Sequence, residues 1–147
     1  MRDVVIVAGL NIEPNKMRKI SKNSRRVLLT FILDPELVDV FLEKLIRLGF
    51  FGKRTSGRIK KELLQEYKRQ GEQVLDKIYD KLKKDGVDCE KEFYMEKFEK
   101  IMKNILEREY IKNVFMISES EQSPFFSYFK KKLNWIAKNF NVKVRVL

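Results

Sequence analysis

Residues 27–33 read Val27-Leu28-Leu29-Thr30-Phe31-Ile32-Leu33, an almost unbroken apolar run that stops at Asp34-Pro35. A run of this length that ends in turn-forming residues is typical of a strand buried on both faces. The same pattern recurs in residues 4–8, which end at Gly9, and in residues 114–117, which end at Ser118. Strands covered on both faces belong to parallel sheets with a layer of helices on either side. The three runs therefore predict an α/β fold.

Two further segments predict strands that are half buried. Residues 89–95 and residues 142–147 alternate apolar with charged side chains, as strands at the edge of a sheet do. With right-handed crossovers, this series of buried and edge strands fits the spatial order 3-2-1-4-5. We therefore predict a three-layer, doubly wound, Rossmann-like sheet of five parallel strands. Its topological switch lies between strands 1 and 4, where such sheets bind ligands at the carboxyl ends of the strands.

Helical patterns separate the strands. The clearest stripe has apolar residues mostly three or four positions apart, with charged residues opposite, and it ends near Gly86. Its members are Ile59, Leu63, Tyr67, Val74, Ile78 and Leu82. Shorter stripes predict helices over residues 98–106 and, after Ser123-Pro124, over residues 125–140. We expect one domain over residues 1–147, in which residues 34–58 form a variable amphipathic insertion that ends in a flexible basic loop, residues 52–58.

The composition excludes several classes of chemistry. The 147 residues include 32 Lys and Arg against 21 Asp and Glu, a net charge of +11, with one Cys and no His. Without His, the chain cannot build a Ser-His-Asp or Cys-His nucleophile, nor a zinc site of His and Cys ligands. No pair of carboxylates is marked out as a general acid and base, so we expect no enzymatic activity.

The same composition predicts a cytoplasmic protein. Cys89 is the single cysteine, so an internal disulfide is impossible, and we expect its thiol to be unreactive. The apolar run near the first residue is too short for a secretory signal, and no run approaches the roughly 20 apolar residues of a membrane span. We therefore expect no membrane partner.

Several segments resemble the universal stress protein family. They are Ile32-Leu33-Asp34 at the end of strand 2, Lys83-Lys84-Asp85-Gly86-Val87 after the long helix, Asn113-Val114-Phe115-Met116-Ile117 in strand 4, and residues 135–146 in the last helix and strand. The resemblance covers most of the chain. It implies the 3-2-1-4-5 fold, a regulatory or stress-response role, and a nucleotide crevice with adenine near Ile32.

The chain departs from the nucleotide-binding branch of that family at the phosphate loop. There, strand 4 leads into a Gly-x2-Gly-x9-Gly-Ser/Thr loop, whereas this chain has Ser118-Glu119-Ser120-Glu121 and no glycine. A phosphate loop needs glycine so that backbone N–H groups can approach the anion. We therefore expect weak or no ATP binding and no resident cofactor, with an adenosine-like ligand or none in the crevice. The crevice residues are Gly9, Asn11, Ile32, Ser118 and Ser120. We expect Glu119 and Glu121 to cap the helix that follows them.

The basic residues form two groups. Lys16, Arg18, Lys19, Lys22, Arg25 and Arg26 lie in the first crossover, and Lys130, Lys131, Lys132 and Lys138 lie in the last helix. We expect both elements on one face of the sheet, where together they would bind nucleic acid or another polyanion. The sequence favours the alternative, a solvated lysine-rich surface, because no nucleic-acid motif or aromatic platform accompanies the charges.

A homodimer is the expected assembly. The first crossover has room for only a short helix, which would leave one sheet face thinly covered. The stripe Leu37, Phe41, Leu45 and Leu48, with Phe50-Phe51, suits core or dimer packing better than a membrane surface, because acidic residues interleave with it. A different protein partner at exposed aromatic residues of the last helix is the other reading.

Overall fold

One parallel sheet organises the chain. The computed structural model describes residues 1–47, Gly49 and residues 56–147, except the side chains of residues 41, 44–46, 56, 124 and 125. The strands are β1 (Arg2–Ala8), β2 (Arg26–Ile32), β3 (Asp88–Tyr94), β4 (Ile111–Ser118) and β5 (Lys143–Val146). Their spatial order is β3-β2-β1-β4-β5, and every neighbouring pair is parallel, which confirms the prediction.

The apolar runs of the sequence become the centre of the sheet. β1 lies between β2 and β4, so that Val5 pairs with Leu29 on one side and with Phe115 on the other. Residues 4–8 are completely buried, because helices cover both faces of β1. The alternating segments become the edges, and β5 has half-buried valines between exposed cations.

The helices are α1 (Pro14–Asn23), α2 (Pro35–Arg47), α3 (Ser56–Lys84), α4 (Phe98–Arg108) and α5 (Pro124–Asn139). α1 is short, as predicted, and Pro14 begins it, where the missing proline N–H is not needed. α3 is followed two residues after its end by Gly86, which has a φ of +80°. There the N–H of Val87 donates to the carbonyl of Leu82 at 3.0 Å, a glycine-terminated helix end.

The helices divide between the two faces of the sheet in a way that corrects one prediction. Met17 and Ile20 of α1 pack with α3 in one core cluster. Phe129 and Leu133 of α5 pack with α4 in the other. The prediction that α1 and α5 share a face was wrong. The crossover that contains α1 runs from β1 to β2, and the crossover that contains α5 runs from β4 to β5, in the opposite direction along the sheet. Two right-handed crossovers in opposite directions place their helices on opposite faces of the sheet.

The segment over residues 34–58 is helical at both of its described ends. In α2, Leu37 and Val38 are buried, one in each core cluster. Residues 56–58 form the first turn of α3 rather than the end of a loop. The remaining predictions for this segment, the side chains of Phe41 and Leu45, Leu48, Phe50-Phe51 and the loop residues 52–55, lie outside the described residues. None of the helices that the structure describes is long and apolar enough to cross a membrane.

The sheet face beside α1 is covered within the chain. Phe115 of β4 is 7% exposed, and Leu147 just after β5 is 8% exposed. The guanidinium of Arg145 lies over the Phe115 ring, 6.0 Å from its centroid, and donates to the Asn23 side chain at 3.1 Å. α1 and Arg145 together therefore shield the part of the face that the short crossover was expected to leave thinly covered.

Candidate functional site

The loop after β1 presents backbone N–H groups at the carboxyl end of the sheet. Gly9 has a φ of +140°, a conformation that residues with a side chain rarely adopt. A Cβ at this position would lie 2.5 Å from Cγ of Glu119. Glycine is therefore required here both by the backbone and by the close approach of another chain segment.

The carboxylate of Glu119 binds that loop. Its Oε1 accepts hydrogen bonds from the N–H of Leu10 at 2.7 Å and from the N–H of Asn11 at 3.1 Å. Its Oε2 accepts one from the hydroxyl of Ser123 at 2.8 Å. We call this set of contacts the Glu119 bridge. Glu119 was expected only to cap its own helix; one oxygen does bind at the start of α5, but the other reaches a residue 109 positions away in the chain.

Lys16 holds the same turn from the side of α1. Its Nζ donates to the carbonyl of Ser118 at 2.6 Å and to the carbonyl of Glu119 at 3.2 Å. This ammonium is half buried and satisfied by backbone oxygens, so it is committed to the fold. The Glu119 bridge is thereby fixed from both ends: backbone N–H groups of the β1 loop bind the carboxylate, and Lys16 binds the backbone that carries it.

The pKa of Tyr67 in α3 is shifted by burial and by the charge of Glu119. Removal from water, with the Glu119 carboxylate nearby, raises the pKa of Tyr67 to about 12. The phenol therefore stays neutral at physiological pH. α3 thus reaches the carboxyl end of the sheet, where Tyr67 lines a small cavity together with Gly9 and Leu10.

The predicted crevice residues do not all face one open space. Ile32 is 1% exposed. The cavity beside it, lined by Gly9, Leu10, residues 31–33, Leu37, Tyr67 and Phe129, has a volume of about 10 Å³. That is room for a water molecule at most, so in this conformation there is no space for a nucleobase near Ile32.

Ser118 and Ser120 have opposite surroundings. Ser118 is completely buried, and within the described residues its hydroxyl has no hydrogen-bond partner. Ser120 is exposed, and its hydroxyl accepts a hydrogen bond from the N–H of Gln122 at 3.2 Å. Of the predicted set, Asn11 and Ser120 line the open cavity, while Gly9 lies behind the Glu119 bridge.

The open cavity lies between the start of α1, the middle of α3 and the turn after β4. Its volume is about 780 Å³. Apolar side chains line one part of it, and amides and charged groups line the rest. The lining residues are Leu10, Asn11, Ile12, Glu13, Met17, Arg69, Gln70, Gln73, Val74, Lys77, Glu119, Ser120 and Ser123. The share contributed by α3 was not foreseen, because it depends on how far the long helix extends past the sheet.

Asp34 forms a second junction at the same end of the sheet. It is 2% exposed. Its Oδ1 accepts from the N–H of Glu36 at 2.9 Å, and its Oδ2 accepts from the N–H of Phe98 at 3.1 Å and from the hydroxyl of Tyr128 at 2.9 Å. One carboxylate thus caps α2 and α4 and anchors α5. Burial, and then the charge of Asp34, raises the pKa of Tyr128 above its ordinary value.

The basic residues of α1 and α5 lie apart. Arg18, Lys19, Lys22 and Arg25 are exposed on the α1 side. Arg26 forms an exposed ion pair with Asp88 at 3.3 Å.

On the opposite side of the sheet, the cations of α5 have contacts of their own. Lys132 pairs with Glu99 at 2.5 Å, and Lys130 lies over the ring of Phe126. Lys131 and Lys138 are exposed. The two groups therefore do not form the single basic face that the sequence led us to expect.

Comparison with solved structures confirms the fold. The chain is similar to the hypothetical protein MJ0577, a structural-genomics test case for structure-based assignment of biochemical function, which has a universal-stress-protein-type fold. The match has a TM-score of 0.57 at 15% sequence identity and covers 100% of this chain and 96% of that one. The sequence matches no protein-family model and no curated protein.

Proposed function

We propose that this chain is a universal-stress-protein-like regulatory module, cytoplasmic and homodimeric, that works by binding rather than by catalysis and does not bind ATP tightly. The observation that carries the proposal is the Glu119 bridge. Paired backbone N–H groups at the end of a central strand suit an anion such as a phosphate. In this chain the protein's own carboxylate takes that position.

Electrostatics oppose a nucleotide at the bridge. A phosphate that approached Leu10 and Asn11 would meet the negative charge of Glu119, or would have to displace it. Displacement breaks hydrogen bonds to a charged acceptor, each contributing about 1.5–3 kcal/mol when buried and less here, where Asn11 is exposed. The ligand would repay this cost only by making the same bonds itself. An anionic ligand therefore gains little at this position.

The neighbouring cavity suits an uncharged ligand better. Its lining includes the apolar side chains of Ile12 and Met17 and the amides of Gln70 and Gln73. Its charges are balanced, because two cations, Arg69 and Lys77, are matched by two acids, Glu13 and Glu119. Such a lining can hold a flat polar molecule of the adenosine kind without a phosphate. The proposed ligand is accordingly adenosine-like, and it would occupy the cavity beside α3, since the space near Ile32 is closed.

Nucleotide binding is tested first by denaturing extraction of the purified protein and mass spectrometry of what is released. Calorimetric titration of ATP, AMP and adenosine into the wild type, Glu119→Ala and Glu121→Ala then tests the mechanism. Glu121 is the matched control, because it is an exposed acid in the same turn. We expect no ATP heat with the wild type or Glu121→Ala, and ATP binding gained in Glu119→Ala. Stoichiometric nucleotide in the wild-type extract would refute the proposal.

The homodimer rests on the apolar pattern of residues 34–58. Val40 of α2 is 55% exposed, although Leu37 and Val38 beside it are buried. A second copy covering this helix would remove Val40 from water. Sedimentation at micromolar concentration tests this part, and a monomer there would count against it.

A further inference from the structure

Four exposed cations lie on the surface formed by α1 and β5, which we call the α1–β5 face. They are Lys19 and Lys22 of α1 and Lys143 and Arg145 of β5. The two elements are in contact, because Arg145 donates to the side chain of Asn23 at 3.1 Å. Side chains two apart on a strand share a face, so Lys143 projects on the same side as Arg145. Charge from two distant segments is thereby gathered on one surface.

A polar network beneath this face fixes its geometry. Asp3 accepts from the hydroxyl of Ser24, just after α1, at 2.6 Å, and from the amide of Asn113 in β4 at 3.0 Å. Asn113 is paired in register with Lys143. Asp3 is half buried, and each of its oxygens has a partner, so it joins α1 to the sheet under the cations. The cations therefore project from a rigid support.

The apolar residues that could anchor a protein or a membrane are elsewhere. Within the described residues, the large exposed apolar side chains are Met1, Val40, Met95 and Tyr110, none of which belongs to α1 or β5. Protein interfaces centre on apolar and aromatic anchors, and membrane-surface helices insert an apolar face. On α1, the apolar residues are in the core. The α1–β5 face thus offers charge without apolar contact area.

We propose that the α1–β5 face binds the phosphate backbone of a nucleic acid. Backbone binding is driven by the release of counterions from the phosphates and needs cations rather than apolar anchors. Contacts to the phosphate backbone carry no sequence information, so the proposed binding is independent of base sequence. This function is separate from the Glu119 bridge, and either can fail without the other.

Fluorescence anisotropy with a labelled short DNA duplex of mixed sequence tests the proposal. Four phosphate contacts predict that log Kobs falls with log salt concentration with a slope of about −4. The test variant is Lys19→Glu combined with Lys143→Glu, two exposed positions on different elements. Loss of two contacts should weaken binding roughly 60-fold at about 0.1 M salt and reduce the slope to about −2.

The matched control is Lys130→Glu combined with Lys131→Glu on α5. It changes the net charge equally but on the opposite side of the sheet, so we expect at most about a threefold loss of affinity from the smaller overall charge. Equal weakening by both double variants would show a general charge effect and overturn the proposal. So would failure of the wild type to bind DNA at about 50 mM salt. Binding only to phosphatidylserine-containing vesicles, with none to DNA, would overturn it in favour of a membrane surface. Circular dichroism confirms that each variant is folded.

Discussion

Replacing Gly9 by alanine perturbs the Glu119 bridge directly. The φ of +140° at Gly9 strains any residue with a side chain, by about 1–3 kcal/mol. The new Cβ would also lie 2.5 Å from Cγ of Glu119 and 2.8 Å from its Cδ, so the carboxylate must leave the β1 loop. Loss of its partly exposed hydrogen bonds adds about 1–2 kcal/mol. We therefore expect Gly9→Ala to lower the free energy of unfolding by about 2–5 kcal/mol.

The two contributions separate in a double-mutant cycle. Glu119→Ala alone should cost about 1–2 kcal/mol, because it removes the bridge without straining the backbone. In the double variant Gly9→Ala/Glu119→Ala, the bridge is already absent and only the backbone strain is new. The double variant should therefore be about as stable as Gly9→Ala alone. The coupling free energy between the two sites is then about 1–2 kcal/mol.

Urea unfolding of the four proteins measures this coupling. At a denaturant dependence of about 2 kcal/mol per molar, a coupling of that size moves the midpoint by roughly 0.5–1 M. Gly9→Ala combined with Glu121→Ala serves as the control and should be additive. If Gly9→Ala and Glu119→Ala were themselves additive within about 0.5 kcal/mol, the carboxylate would not lie against Gly9 and the proposed exclusion of phosphate would lose its basis.

Three further predictions test the packing of the fold. Asp34→Ala should lower the free energy of unfolding in urea by about 2–4 kcal/mol, because it uncaps two helices. Tyr128→Phe should lower it by only about 1 kcal/mol, because it removes one hydrogen bond. Equal losses in the two variants would contradict the role of Asp34 as the junction of these helices. Gly71→Ala should lower the melting temperature, because its Cβ would lie 2.9 Å from the ring of Phe31 in β2. Gly57→Ala has open space around its Cβ and should raise the free energy of unfolding by up to about 1 kcal/mol. Cys89 should react with a thiol reagent at pH 8 only after unfolding, since burial raises its pKa to about 11; rapid reaction of the folded protein would contradict this.

The strand order was predictable because the pattern of apolar residues within each strand indicates how many of its faces are buried. The uniform run of residues 27–33 and the alternating residues 142–147 differ in how many faces each strand buries. The long helix α3 was predictable for the same reason, since its period is local. The placement of α1 and α5 on opposite faces also follows from the strand order, because the crossovers from β1 to β2 and from β4 to β5 run in opposite directions along the sheet.

The site contacts were not predictable from local patterns. Glu119 lies in the short connection between β4 and α5, where an acidic residue has the local character of a helix cap. Its partners at Leu10 and Asn11 are more than a hundred positions away, and only the pairing of β1 with β4 brings them close. Asp34 is a comparable case, since its contacts join three helices, α2, α4 and α5. A single sequence carries no signal for such distances.

Under the proposed function, the Glu119 bridge separates the backbone of the site from the group that the backbone binds. The N–H groups after β1 belong to the backbone, so their positions are set by the strand and by the φ of Gly9. The group that they bind is set by the side chain that follows β4. A glycine at that place would leave the N–H groups open to an external phosphate, whereas Glu119 provides a carboxylate that is covalently attached and always present. A tethered anion competes at a high effective concentration, so an external phosphate must exceed it in affinity to enter. A structural similarity at 15% identity therefore shows the fold of this chain but not what its site binds.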